Sequence, residues 1–108
     1  MTIFGLRACD TCRKAETALS AAGKDVNFVD IRAEPLERSD FERFFNALGE
    51  ALVNRRSTTW RGLSEEARAA DPLALLTAHP TLMKRPVIEA GGTLTLGWDK
   101  ATQAHYLG

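Results

Sequence analysis

The apolar positions of the chain fall into short blocks whose spacing alternates between strand-like and helix-like. Thr2-Ile3-Phe4-Gly5-Leu6 is short and apolar and predicts a first strand, with Arg7-Ala8 leading away from it. Ala15, Ala18, Leu19 and Ala22 then recur at i, i+3, i+4 and i+7, the spacing of one helix face, and Gly23 stands where a left-handed helix stop is expected. Val26-Asn27-Phe28-Val29-Asp30-Ile31 predicts a second strand. Strand, helix and strand within about thirty residues form a βαβ unit, for which parallel strands and a right-handed connection are expected. Whatever lies between Leu6 and Ala15 is therefore presented at the carboxyl end of a strand.

The middle of the chain carries no β pattern. Ser39 and Glu42 have capping-box spacing, and Phe41, Phe44, Phe45 and Leu48 make one helical stripe ahead of Gly49, a stripe expected to be core. A short helix is expected around Glu50 to Val53. Ser64 precedes an alanine-rich run, and Asp71-Pro72 reads as N-cap and first-turn proline. After His79-Pro80, Val87-Ile88-Glu89-Ala90 and Thr93-Leu94-Thr95-Leu96 flank Gly91-Gly92, a hairpin signal, and a last helix is expected to begin at Asp99. The order β-α-β, helices, β-β-α predicts an α/β chain: a thioredoxin-like (glutaredoxin-like) mixed sheet with a helical insertion over about residues 38–82, within one domain spanning 1–108.

Composition narrows the function classes. The 108 residues suit a single core, and 14 basic against 14 acidic residues give zero net charge, so the footprint of direct nucleic-acid binding is missing. No basic segment followed by an apolar run opens the chain, and no stretch approaches the length of a membrane span. A cytoplasmic location without membrane association is expected. In that reducing compartment, paired cysteines point to catalysis or redox sensing more than to a structural staple.

The only two cysteines lie in Cys9-Asp10-Thr11-Cys12, where the first strand gives way to the helix. A helix amino terminus offers unpaired N–H groups and the positive end of the macrodipole, both of which favour a thiolate, and the thiolate is the nucleophile. Cys9 is expected at the helix start, the more exposed of the two, and is assigned the attack. Cys12, one turn inside, is the candidate resolving cysteine. If its side chain faces the core, it is a small buried hydrophobe instead. The Asp10 carboxylate can help cap the helix but opposes thiolate formation beside Cys9. A zinc site is not expected, since only His79 and His105 remain as partners and their spacing fits no finger or ribbon.

Three blocks together resemble a known family. Cys9-Asp10-Thr11-Cys12-Arg13-Lys14-Ala15, the tract Leu52-Val53-Asn54-Arg55-Arg56-Ser57-Thr58-Thr59-Trp60-Arg61, and Lys84-Arg85-Pro86-Val87 look like the signature blocks of the arsenate reductase (ArsC) and Spx family, nearly end to end. Asn54 to Trp60 and the ending Leu96-Gly97-Trp98-Asp99 look like its YffB-like subgroup. The resemblance implies a bacterial thioredoxin-like thiol reductase that uses glutathione as co-substrate and no metal. It implies that Cys9 is the nucleophile, that Arg85 is an active-site arginine, that Pro86 is a cis-proline beside the cysteine loop, and that Arg55 lies in a block supplying a further substrate-binding arginine.

Two features depart from the arsenate reductase pattern. Cys12 stands where those enzymes lack a cysteine and Spx proteins have one, so an intramolecular disulfide is conceivable. Gly97 falls where they carry a further arginine, which counts against arsenate as substrate. Arsenate reduction therefore stands as an alternative activity. An Spx-like redox regulator binding the RNA polymerase α subunit is the alternative from another class. Arg85 is suited both to lowering a thiolate pKa and to gripping the carboxylates of a tripeptide. Arg13 reads either as a solvated surface cation or as part of an electropositive substrate rim, and Trp60 as packing beneath the insert more than as a ligand platform.

Overall fold

The computed structural model describes residues 1–108. The chain divides into two compact units, Met1–Glu34 with Arg85–Gly108, and Pro35–Lys84.

The first unit is built on a four-stranded mixed sheet of order β2-β1-β3-β4, comprising β1 (Thr2–Gly5), β2 (Asn27–Asp30), β3 (Val87–Ala90) and β4 (Thr93–Leu96). The central strand β1 pairs parallel with β2 in the register Gly5↔Asp30, and antiparallel with β3 in the register Ile3↔Ile88. The expected βαβ unit is thus present, with both of its strands shorter than their apolar runs. The hairpin between β3 and β4 turns on Gly91 and Gly92 with φ of 56° and 82°, the left-handed values a two-residue turn of this kind requires.

Helix α1 (Asp10–Ala21) buries Cys12, Ala15 and Leu19, and ends at Ala22 with Gly23 at φ 82°. These three side chains form one cluster with Ile3, Phe28 and Ile88 from three strands and Tyr106 from α6 (Lys100–Leu107). Alternation along β1 sends Ile3 into this cluster and leaves the neighbouring, also buried, Phe4 on the opposite sheet face. The last helix starts one residue after the expected Asp99, which caps it, its Oδ1 accepting from Thr102 N–H at 2.9 Å, and the Tyr106 hydroxyl meets Thr95 Oγ1 at 2.8 Å.

The second unit is helical: α2 (Arg38–Leu48), α3 (Thr58–Arg61), α4 (Glu65–Arg68) and α5 (Pro72–Ala78), with 3₁₀ turns at Gly49–Leu52 and Pro80–Leu82. Phe41 and Phe44 of the expected stripe are fully buried, as are Leu52, Leu76, Leu82 and Met83. The capping box differs from the expected one. Helix α2 starts with Glu37 as N-cap, and its N–H donates to Asp40 Oδ2 at 3.0 Å, so Ser39 lies inside the first turn and Glu42 pairs with Arg38 at 3.5 Å. Reach decides this, because Asp40 sits three residues after the first orphan N–H and closes back onto it.

Ser64 and Asp71 do cap α4 and α5. Asp71 Oδ2 accepts from Ala74 N–H at 3.3 Å and also pairs with Arg38 at 3.4 Å. Asp71→Ala is expected to lower stability by about 1 kcal/mol, the usual value of a lost N-cap, read as a shifted urea midpoint at unchanged slope. An unshifted midpoint would show that the cap contributes nothing. No helix is long and apolar enough to cross a membrane.

Candidate functional site

The site begins with a turn. Cys9 N–H donates to Leu6 O at 3.0 Å, and Cys9 O accepts the first helical bond, from Arg13 N–H, at 3.1 Å. Cys9 is therefore the N-cap of α1, in extended conformation at φ −82° and ψ 118°. The expected capping by Asp10 is not found. Asp10 lies inside the first turn and its carboxylate pairs with Lys14 at 3.2 Å and with Arg13 at 3.6 Å. These i, i+4 and i, i+3 contacts satisfy it on the helix surface.

The loop ahead of Cys9 is fixed by an aspartate. Asp30, at the end of β2 opposite Gly5, accepts from Arg7 N–H at 3.0 Å, Arg32 N–H at 2.8 Å and Ala33 N–H at 3.3 Å. These bonds, that from Arg7 first, hold its carboxyl below the usual carboxylate range. The Arg7 guanidinium lies 4.4 Å from the centroid of the Phe28 ring.

Two thiols with opposite tendencies result, and both cysteines are free. Partial burial works against the Cys9 thiolate, but the Cys12 backbone N–H, the Cys12 thiol and the Arg85 guanidinium together outweigh it and bring the Cys9 pKa below its ordinary value. Cys12 is fully buried, and that burial, reinforced by its neighbour Cys9, pushes its thiol up to about 12. Beside Cys12 runs β1. A Cβ built on Gly5 would stand 2.5 Å from Cys12 Sγ and 3.2 Å from its Cβ, so only glycine leaves room for the thiol there.

The remaining residues singled out from sequence fall in different places. Arg85 reaches Cys9 by both a hydrogen bond and its charge. Pro86 follows through a cis peptide bond, is fully buried, and its carbonyl accepts from Gly97 N–H at 2.8 Å. Gly97 has φ 83°, which disfavours an arginine there on backbone grounds. Arg13 points to solvent with its side chain 60% exposed. Arg55 belongs to the helical unit, where it pairs with Glu50 at 2.7 Å and lies 5.4 Å from the Trp60 centroid. Trp60 also has Arg68 at 5.8 Å, and its indole is half-buried. No group of three or more His, Cys, Asp or Glu side chains is arranged to hold a metal ion.

Arg85→Gln removes the cation beside Cys9 while keeping a donor, so it is expected to raise the Cys9 pKa. The pH dependence of Cys9 alkylation reads this directly, and an unchanged profile would remove Arg85 from the site.

A cysteine at the amino end of a helix, set against a mixed four-stranded sheet of this topology, defines a thiol protein of the thioredoxin-like class. The ArsC family model matches residues 4–105, and the chain belongs to the ArsC family. An uncharacterised protein of Haemophilus influenzae is 32% identical over 105 residues, covering 93% of this chain and 92% of its own. The regulator Spx of Streptococcus pyogenes is 27% identical, over 93% of this chain and 79% of its own. Among solved structures, the YFFB protein superposes with a TM-score of 0.89 at 33% identity, covering 99% of this chain and 98% of its own. An arsenate reductase related protein of Brucella melitensis gives 0.76 at 37% identity, covering 98% and 93%.

Proposed function

We propose that the protein is a cytoplasmic thiol-disulfide oxidoreductase that uses Cys9 as nucleophile and glutathione as co-substrate. The supporting observation is the placement of Cys9: at a helix N-cap, partly exposed, and receiving hydrogen bonds from Cys12 N–H and Arg85 that favour its anion. The Cys9 thiolate attacks the glutathione sulfur of a mixed disulfide. The old S–S bond breaks, the substrate sulfur leaves as a thiolate that takes up a proton, and glutathione remains bound to Cys9 through a new disulfide. A second glutathione thiolate then attacks that bond, giving glutathione disulfide and restoring the Cys9 thiolate. Arg85 steadies the anion at each stage and is suited to hold a substrate carboxylate.

This cycle needs one cysteine. Cys12, with no exposed surface and its thiol held protonated by burial, stands poorly placed to resolve the intermediate without a local rearrangement. The test is turnover of a glutathionylated peptide by the purified protein in the presence of glutathione. Turnover retained in Cys12→Ser supports the one-cysteine cycle, and no turnover by the wild type contradicts the proposal.

The similarity to Spx and the presence of Cys12 favour one second reading, a redox-sensitive regulator that binds the RNA polymerase α subunit. Capture of that subunit in one redox state only would support it, and capture in neither would remove it.

A further inference from the structure

The helical unit carries a cavity of about 690 Å³, within the size range of small-molecule sites. Its lining carries the charged Glu50, Arg55, Arg56 and Lys84 and the polar Asn54, together with the apolar Ala51 and Val53. Three cations against one carboxylate is a local excess in a chain whose formal net charge is zero.

The arrangement is held rigidly from below. Val53 bridges to Met83, Asn54 N–H donates to Leu82 O at 2.8 Å, and Lys84 N–H donates to Leu52 O at 2.7 Å. Leu52, Leu82 and Met83 are fully buried, so the two segments that carry the cations cannot drift apart without opening the core of the unit. Asn54 then fixes the turn above: its Oδ1 accepts from Arg56 N–H at 3.1 Å, and its backbone O accepts from Ser57 Oγ at 2.9 Å.

The occupancy of the cations is uneven. Arg55 is engaged by the Glu50 carboxylate at 2.7 Å and backed by the Trp60 ring. Arg56 and Lys84 have no ion pair of their own. Glu50 is thus an internal stand-in, showing how Arg55 takes a carboxylate, on a side chain that is itself 69% exposed and free to swing away.

The geometry points to this cavity as a binding site for a small molecule bearing two or more anionic groups, carboxylate or phosphate, one displacing Glu50 from Arg55 while another meets Arg56 and Lys84. The depression is open to solvent and within reach of a ligand, and guanidinium groups pair with either kind of oxyanion in two-pronged fashion. The cavity shares Arg55 with the expected substrate-binding block but is lined by neither Cys9 nor Arg85.

Calorimetric titration of the full chain with pyrophosphate and, separately, with citrate tests it. Saturable binding is expected, weakening with added salt. Arg56→Gln and Lys84→Gln are each expected to weaken it about tenfold, as befits one charge-assisted contact, and Glu50→Gln to tighten it by freeing Arg55. Binding of pyrophosphate alone identifies a phosphate ligand, citrate alone a carboxylate ligand, and both a site selected by charge. Cys9→Ser is expected to bind as the wild type does, which separates this site from failure of the thiol chemistry. No saturable binding of either probe, or undiminished binding by a folded Arg56→Gln/Lys84→Gln double variant, would overturn the inference.

Discussion

Cys9→Ser is expected to reduce turnover of a glutathione mixed disulfide to background, a loss of about 10³-fold or more, as when a covalent nucleophile is removed. The expectation rests on the roles the geometry leaves open. Cys12 is fully buried with its thiol pushed up to about 12, so it cannot take over the attack at neutral pH. A serine hydroxyl in the same place accepts the same hydrogen bonds but remains protonated and attacks sulfur poorly. The substitution also separates chemistry from folding. Cys9 occupies the N-cap of α1, where serine is among the preferred residues, so stability should hold or rise slightly. A variant that melts like the wild type and has lost turnover is the expected pair of results. Residual turnover within tenfold of wild type would move the nucleophile elsewhere.

Gly5→Ala is expected to destabilise the protein by about 1–3 kcal/mol, the usual cost of overpacking a filled core. The new methyl would meet Cys12 Sγ at 2.5 Å and lie 3.7 Å from Phe28 Cζ, and neither neighbour is a loose surface chain. Gly5 is also the last residue of β1, paired with Asp30, whose carboxylate anchors the loop that delivers Cys9. Relief of the contact must therefore shift either α1 or the strand end. Combining Gly5→Ala with Cys12→Ala removes the sulfur and should recover part of the loss, a coupling that a double-mutant cycle in urea resolves. If alanine at position 5 left the midpoint where it was, or if the two changes were additive, the close packing of Cys12 on β1 would not be what glycine is there to permit.

What the sequence made legible was mostly local. Ser64, Asp71 and Asp99 announce their helices because each cap is a bond between a side chain and a backbone N–H three residues on, and the Gly91-Gly92 hairpin needs only two left-handed residues. Helix α2 starts ahead of the expected cap. The Ser39–Glu42 spacing fits the usual capping pattern, whereas glutamate is an uncommon N-cap, so Glu37 with Asp40 was not evident. The N-cap position of Cys9 was readable from the strand-to-helix transition. Gly5 and Asp30 were not, because their roles depend on the β1–β2 register and on where α1 sets down Cys12. Lys84 was missed for a related reason, being brought beside Arg55 and Arg56 through the bridge between Val53 and Met83, whereas Glu50 meets Arg55 directly at 2.7 Å. The cis bond before Pro86 came from family resemblance, since nothing in the local pattern requires it.

The central claim is that the fold lowers the pKa of Cys9 below that of an ordinary cysteine while burial raises that of Cys12. Its most direct test is the rate of iodoacetamide alkylation at each cysteine as a function of pH, with the modified residue located by mass spectrometry. The account predicts that Cys9 reacts with a midpoint below that of an ordinary cysteine, because its folded-state pKa is lowered, while Cys12 stays unreactive through the same range until the protein unfolds. A Cys9 midpoint at or above the ordinary value, or alkylation of Cys12 at the same pH as Cys9, would contradict it.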